Sequence, residues 1–412
     1  MGRTKQLVCA LLFTLISGVM YAQNNTNSPY TRYGYGQLSD QHSARSKAMG
    51  GVSYALRDNS QINFANPASY TAMDSLTFMF EGGMTFQNTN FSDGDTKLNA
   101  KNSSFDYLVL QFRLKKWAAM SMGVLPVTNR GYNFSDSRIN DNPEASHIVN
   151  YKGSGGLHRG YMGFAINPMK RLSVGANVSY LWGTLKHDIN ILFPNSISSN
   201  SNTHRKRSII LKGVKLDFGA QYILPINERH ELTFGAVYSP KLSISNDIEV
   251  ESLDNTLEFD KYSSKFDLPT SYGLGVAYNK DKKLLVALDV MREEWSKARF
   301  RNEYSMLDQT RVSVGAEYLP ALFSRNYFAT IKYRVGFYYS TPYYKINNQR
   351  AAKEFGVSAG FGIPIPKVKS QLNISAQYVR VSGKTDDFLS ENHIRINLGL
   401  VFNERWFFKR KI

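Results

Sequence analysis

The sequence predicts an all-β protein, a single transmembrane antiparallel β-barrel of about fourteen strands. Three observations lead to this prediction. Apolar and polar residues alternate along segments that run for ten residues or more. Short polar turns alternate with long polar loops between these segments. The chain also begins with a short apolar stretch of the kind that directs export.

Alternation with period two is clear in residues 107–114, where Leu108 and Leu110 face one side and Gln111 and Arg113 face the other. Segments of this kind are longer than most strands of soluble sandwiches, and ten residues suffice to cross a bilayer at a tilt. We place strands at 75–88, 103–115, 118–133, 145–167, 171–192, 205–224, 230–251, 256–279, 283–299, 303–319, 326–339, 353–363, 369–383 and 391–403.

The predicted connections are of two kinds. Short ones carry Pro, Asn or charge, as at 115–116, 167–170, 225–228, 279–282, 320–326 and 364–370. Long polar ones lie at 129–145, 193–205, 246–258, 340–352 and 383–391. Short turns at one rim and long loops at the other are typical of outer-membrane barrels. Closing the sheet also pairs every backbone group in lipid without leaving an edge.

The chain is rich in aromatic residues, with 25 Tyr and 25 Phe, while its mean hydropathy is only −0.35. This composition suits strands and membrane interfaces better than helical membrane spans. Aromatic residues near strand ends are candidates for interfacial girdles, with ordinary packing in the sheet as the alternative; they are Tyr161, Tyr180, Tyr222, Tyr238, Tyr338 and Phe402.

The N-terminus has the features of a secretory signal peptide. Arg3 and Lys5 precede the apolar stretch 7–20, and the small residue Ala22 follows it, so we predict a signal peptide at 1–22. A buried N-terminal helix is the alternative. The one cysteine, Cys9, lies inside this stretch, so the exported chain would contain neither a disulfide nor a thiolate metal site.

The formal net charge is +17, which in a soluble protein would suggest nucleic acid as the partner. Here the basic residues are scattered through turns and alternating segments. Attraction to the lipid head groups of the outer membrane, together with a basic lumen, explains the charge better, and we predict no nucleic-acid partner.

Residues 24–70 do not have the pattern of a membrane-spanning strand, so they either hang in the periplasm or fold into the lumen. Their motifs resemble the N-terminal hatch of FadL/TodX-type (OMPP1) outer-membrane transporters: Met49-Gly50-Gly51, then Arg57-Asp58, then Asn66-Pro67-Ala68. Arg57 departs from this pattern, which usually has two acidic residues. Asn66-Pro67 is also explained by turn chemistry alone. Ser28-Pro29-Tyr30 after the predicted signal peptide, together with the aromatic short strands, also resembles envelope proteins of Bacteroidota.

The resemblance implies an N-terminal hatch or plug segment in the lumen. The predicted organisation is therefore a signal peptide at 1–22, a plug at 23–74, a barrel at 75–403 and a short aromatic and basic tail at 404–412. By resemblance, ligand would pass along the hatch and leave through the barrel wall or the periplasmic mouth. Candidate ligand-path residues are Met49, Gly50, Gly51, Asn66, Pro67, Ala68, Arg113, Arg311 and Arg395.

Two functions follow. The first is passive transport of hydrophobic or amphipathic small molecules, in which Arg113, Arg311 and Arg395 hold an anionic head group; pairing of these arginines with acids such as Glu317 is the alternative. The second is a non-transporting adaptor barrel in a multiprotein envelope machine for secretion or outer-membrane assembly, with envelope proteins as partners. We predict no enzyme, no cofactor and no metal, because the seven histidines are dispersed and neither a H-E-x-x-H motif nor a Cys/His zinc spacing occurs.

Overall fold

The computed structural model describes residues 26–75, 77–92, 97–139, 146–194, 203–254, 256–346, 349–366, 369–383 and 389–405. The predicted signal peptide, with Cys9, and residues 406–412 of the predicted tail lie outside the described residues. No helix within the described ranges has the length and apolar character needed to cross a membrane.

Fourteen antiparallel strands form a closed barrel. The barrel closes because the first strand pairs with the last, from Thr77 opposite Arg405 to Ser92 opposite Ser390. This confirms the predicted fold class. The strands are β1 Thr77–Ser92, β2 Lys97–Lys115, β3 Ala118–Arg138, β4 His147–Met169, β5 Leu172–Leu192, β6 Thr203–Pro225, β7 His230–Ser239, β8 Ser271–Lys280, β9 Leu284–Glu293, β10 Gln309–Tyr318, β11 Lys332–Ser340, β12 Lys353–Pro364, β13 Gln371–Ser382 and β14 Ser390–Arg405.

The connection between β7 and β8 differs from its prediction. The prediction of continuous strands at 230–251 and 256–279 was wrong. The sheet is interrupted at Pro240 and Pro269, because proline cannot donate to a strand ladder. Between these breaks the chain forms a hairpin, in which Leu242–Asp254 pairs with Thr256–Tyr262 and Phe266–Leu268. A loop was expected at 246–258.

Four further predicted boundaries were wrong. The strands expected at 283–299 and 303–319 end at Glu293 and begin at Gln309, because Trp295 and Met306 between them are buried in a loop core. The strand expected from 326 begins at Lys332, after a 3-10 turn at Tyr327–Thr330. The loop expected from 129 begins after Arg138, where β3 ends.

The remaining elements are short. The segment before the barrel contains a strand at Gln37–Leu38, an α-helical turn at Ala44–Lys47 and 3-10 turns at Pro29–Arg32 and Pro67–Ala72. Another 3-10 turn lies at Trp295–Lys297, and a small hairpin pairs Lys345–Ile346 with Gln349–Arg350. We call residues 26–75 the N-terminal segment.

The outer face of the barrel is apolar. A row of directly paired side chains crosses β9 to β14, and each of them is between 40% and 49% exposed. The row consists of Leu288, Val314, Phe337, Val357, Tyr378 and Ile394. So wide an exposed apolar band is unfavourable in water, and it matches the lipid-facing surface of membrane barrels.

The inner face is polar, and the N-terminal segment packs against it. Gln221, Asp289 and Glu317 are among its buried side chains. Tyr161 and Tyr338 also point inward, 5% and 2% exposed, so the prediction that these two belong to girdles was wrong. Tyr180, Tyr222 and Tyr238 are 42–51% exposed on the outer face, as a girdle requires.

Glycines on the barrel wall allow the N-terminal segment to approach closely. A Cβ at Gly336 of β11 would lie 2.0 Å from the carbonyl carbon of Met49, and one at Gly219 of β6 would lie 2.1 Å from Asn66 Oδ1. Real Cβ atoms do not come so near to another atom. These positions accept glycine because the backbone of the segment occupies the space of a side chain.

We predict that Gly336→Ala displaces the N-terminal segment and destabilises the protein by about 1–3 kcal/mol, the usual cost of overpacking. Gly82→Ala is the matched control, since its Cβ would meet its nearest neighbour, Leu108 Cδ1, at an ordinary 3.5 Å. Denaturant unfolding in detergent and limited proteolysis at residues 26–75 measure the effect. Equal stability and protease resistance of the two variants would contradict this packing.

Candidate functional site

The N-terminal segment runs through the lumen from the long-loop rim to the short-turn rim. Near its start, Ser28 Oγ donates to Glu391 Oε1 over 2.5 Å, next to the loop before β14. In its middle, Gln377 Nε2 of β13 donates to the Lys47 carbonyl over 2.8 Å. Near its end, Asp74 pairs with Lys369 at the short turn between β12 and β13. The segment therefore spans the height of the barrel before it enters β1.

Side chains of the barrel wall form hydrogen bonds with backbone groups of the segment that have no strand or helix partner. Asp289 Oδ2 accepts hydrogen bonds from the amides of Ser53 and Tyr54 over 2.6 and 2.8 Å. Gln221 Nε2 donates to the carbonyls of Tyr54 and Leu56 over 2.9 and 3.1 Å. An unpaired buried backbone group is costly, so these contacts fix the path of the segment.

The predicted Met49-Gly50-Gly51 motif forms a sharp turn against β11 and β12. Gly50 and Gly51 have φ angles of +70° and +90°, which glycine adopts without strain. The Gly50 amide donates to Ser358 Oγ over 2.9 Å, and Met49 is fully buried. The motif therefore brings the backbone of the segment against the wall.

The Asn66-Pro67-Ala68 motif is a capped turn. Asn66 Oδ1 accepts from the Ala68 amide over 3.0 Å, and its Nδ2 donates to the Tyr54 carbonyl over 2.7 Å. Arg57, which departs from the pattern of the resembled family, donates to the Ala68 carbonyl and to Thr71 Oγ1 over 3.3 and 2.8 Å. Turn chemistry thus accounts for Asn66, and Arg57 supports the same turn.

A buried ion network joins the N-terminal segment to the wall. Arg45 binds Glu317 with both Nε and Nη2, over 3.0 and 2.8 Å, and binds Asp58 over 2.8 Å. Arg334 binds Glu317 over 2.7 Å, and Lys332 binds Asp58 over 3.2 Å. Burial alone would raise the pKa of the Asp58 carboxyl, but Lys332 and Arg45 hold this pKa well below its usual range. The Asp58 carboxylate is therefore held charged and paired.

The structure places the three candidate arginines in three different environments. Arg113 lies at the short-turn rim, where its Nη1 donates to the Thr71 carbonyl over 2.7 Å. Arg311 lies 3.8 Å from Asp40 and stacks over the Tyr338 ring at 4.0 Å. Arg395 Nε donates to Gln87 Oε1 over 2.7 Å. Glu317 pairs with Arg45 and Arg334 instead, so it is not their partner, and their roles in ligand binding stay predictions.

A cavity of about 340 Å³ remains between the N-terminal segment and the wall. Charged pairs line it: Lys47 with Asp106 at 2.9 Å, Arg159 with Asp217 at 3.0 Å and Arg311 with Asp40 at 3.8 Å. Arg395 also lines this cavity, whereas Arg113 is not among its lining residues. The cavity therefore carries charges of both signs rather than being simply basic.

The wall splits beside this cavity. The β2–β3 ladder extends from Ala118 only as far as Leu108 opposite Val124. Beyond that pair, 97–107 of β2 pair with β1, and 125–138 of β3 pair with β4; the described residues show no pairing between these two stretches. Thr128 and Asn129 of β3 pair instead with Leu38 and Gln37 of the N-terminal segment. The split is lined by Ser104, Asp106, Pro126 and Val127, which also line the cavity.

Sequence reasoning missed several residues of this site. Arg45, Asp40 and His42 lie in a stretch without a motif. Arg45 and Asp40 each have a partner on the wall more than 200 residues further along the chain, and His42 pairs with Asp40, two residues away. Tyr35 was missed as well, although the Tyr-Gly-Tyr-Gly stretch at 33–36 is a signal that could have found it. Among the described residues, no group of three or more His, Cys, Asp or Glu side chains could hold a metal ion.

We predict that Arg45→Met destabilises the protein by about 3–5 kcal/mol, because it leaves Glu317 and Asp58 buried with fewer cationic partners. Arg138→Met is the control, since Arg138 and Asp136 form an exposed pair, and its effect should stay within about 1 kcal/mol. Denaturant unfolding in detergent measures both. A small effect of Arg45→Met would mean that the network does not hold the segment.

Comparison with known proteins agrees with this architecture. The structure resembles the CymD monoaromatic hydrocarbon channel, at 16% identity and a TM-score of 0.58, over 88% of this chain and 98% of that one. It resembles the toluene transporter TodX of Pseudomonas putida, at 17% identity and a TM-score of 0.58, over 90% and 100%. A FadL homologue of Pseudomonas aeruginosa aligns at 12% identity and a TM-score of 0.59, over 88% and 98%.

These likenesses confirm the FadL/TodX-like fold, and the aligned proteins are channels rather than enzymes. The resemblance to Bacteroidota proteins and to the OMPP1 family stays a prediction. No curated protein matches the sequence. The family model for BamG matches residues 4–412. The chain belongs to the BamG family.

Proposed function

We propose that this protein is an outer-membrane channel that passes amphipathic small molecules between its lumen and the bilayer. The observation that carries the proposal is the position of the luminal cavity, which extends to the split between β2 and β3. Residues 37–39 cover the edge of β3 beside the cavity, so a molecule in the cavity would need to displace them to reach the lipid. Residues 23–74 then act as the plug and 75–403 as the barrel.

The chemistry of the cavity and of the outer surface supports an amphipathic cargo. The cavity side carries polar and charged groups, including Thr85, Gln87 and Asp106. On the same two strands, Phe86 and Phe105 are 44% and 39% exposed. A polar head would be solvated by the first set, and an apolar tail would be favoured by the second. The structures with a similar fold include named hydrocarbon and toluene channels, but the likeness to them shows the fold alone.

Blocking the split tests this proposal. We predict that Val127→Cys, labelled with a bulky maleimide, reduces uptake of radiolabelled laurate into proteoliposomes by about tenfold or more, a barrier increase of at least about 1.4 kcal/mol. Val286→Cys, on the lipid-facing side of β9, is the labelled control and should keep its uptake. Laurate uptake that does not depend on the protein, or that both labels block equally, would contradict a route through the split.

A second function, an adaptor barrel, is favoured by the unequal height of the wall. Strands β3 to β6 have 21–23 residues, whereas β7 to β10 have 10 each. About ten residues suffice to cross the bilayer, so the taller wall stands well above it. The outer face of this wall exposes Lys152 and Lys186. Such a wall offers a sheet face on which an envelope protein could dock.

We expect the adaptor function to show as a stoichiometric partner that copurifies in mild detergent and is lost when Lys152 and Lys186 are both replaced by Glu. Lys280→Glu, an exposed lysine at the opposite rim, is the control and should retain the partner. Quantitative mass spectrometry of the purified protein provides the measurement. A barrel that purifies alone under these conditions would count against the adaptor and leave the channel as the supported function.

A further inference from the structure

Tyr35 of the N-terminal segment occupies an aromatic cage at the long-loop rim. Its side chain is fully buried. The ring makes T-shaped contacts with Phe300 and Phe266, with centroids 5.0 and 6.3 Å apart, and lies 5.7 Å from the Trp295 ring. Its hydroxyl donates to the Asp267 carbonyl over 3.0 Å. The cage thus binds a phenol ring by its faces, its edges and its hydroxyl group.

Contacts that do not involve Tyr35 also hold the cage together. The buried carboxylate of Asp267 binds Arg299 over 2.6 and 3.0 Å, Lys241 over 3.0 Å and Ser243 over 2.9 Å. These bonds join the strand Phe266–Leu268 to the loop after β9, which carries Trp295 and Phe300. These contacts therefore preorganise the cage, which lowers the cost of binding a ring in it.

The position of Tyr35 in the chain links the cage to the split in the wall. Tyr35 lies between Gly34 and Gly36, which have φ angles of +52° and +95°. Two residues later, Gln37 and Leu38 pair with the edge of β3. The next residue extends this attachment, since the Ser39 amide donates to the Val127 carbonyl over 2.9 Å. Withdrawal of Tyr35 would therefore act directly on the residues that cover the split.

We propose that this cage is a binding site for phenolic molecules that Tyr35 fills in the closed state, and that a phenol which replaces Tyr35 releases residues 37–38 from β3. The release step rests on the proposed channel function, whereas binding in the cage does not. The ligand class follows from the occupant: an aromatic ring with one hydroxyl donor that reaches the Asp267 carbonyl.

Cavity complementation tests the site. The full-length protein with Tyr35→Ala is purified in detergent, and p-cresol is added as the probe. We expect p-cresol to raise the melting temperature of this variant towards that of the wild type, and toluene to do so less well because it lacks the hydroxyl. Tyr33→Ala removes a ring that stacks on Tyr344 outside the cage and is the control. No effect of p-cresol, an equal effect of toluene, or the same response in Tyr33→Ala would overturn the site.

Maleimide labelling of Leu38→Cys tests the link to the split, because the sequence has no cysteine apart from Cys9 in the predicted signal peptide. We expect labelling to be about a hundredfold faster in Tyr35→Ala. Tyr35→Phe, which keeps the ring and so should fold if Tyr35→Ala does not, should label about fivefold faster than the wild type, the effect of one lost hydrogen bond. Unchanged labelling in both variants would overturn the link.

The phenol site and the channel function can be tested separately. If p-cresol stabilises Tyr35→Ala and the labelling rates change as expected, but laurate uptake does not depend on the protein, the channel function is wrong and the cage stands. If uptake passes through the split but p-cresol has no effect on Tyr35→Ala, the cage is not a phenol site and the channel function stands.

Discussion

The hydrogen bonds that wall side chains make to the backbone of the N-terminal segment are the interaction on which the rest of this structure depends. Residues 26–75 have little regular secondary structure, yet they lie in a closed barrel. Asp289 and Gln221 provide partners for four of their backbone groups. Without Asp289 the amides of Ser53 and Tyr54 would be costly unpaired groups in the lumen. The ion network and the cavity exist because the segment is held in this place.

The same constraint explains the division of the wall into two faces. Inward positions must either bind the segment or leave room for it, which is why polar side chains and glycines such as Gly336 occur there. Outward positions contact lipid and are apolar, as at Val314 and Phe337. Where the segment itself supplies a strand, at residues 37–38, the wall loses a ladder between β2 and β3. The candidate route therefore lies where residues 37–38 of the segment, rather than β2, pair with the edge of β3.

The barrel could be predicted from the sequence because alternation and turn chemistry are local. The predictions failed where a tertiary contact decided the outcome. The residues around Trp295 and Met306 have an alternation compatible with a strand, but these two side chains are buried in a loop core. Pro240 and Pro269 interrupt strands although the alternation of apolar and polar residues continues past them. Asn66 could be found because its cap is local. Arg45 could not, because its partner Glu317 is 272 residues away along the chain.

Hydrogen–deuterium exchange of the protein in lipid nanodiscs determines whether the N-terminal segment is a fixed part of the folded lumen. We predict that the amides of Gly50, Ser53 and Tyr54 exchange as slowly as those of the barrel strands, whereas residues 37–38 at the split exchange faster. Rapid exchange throughout residues 26–75 would contradict it, because the wall side chains would then not be bound to the segment.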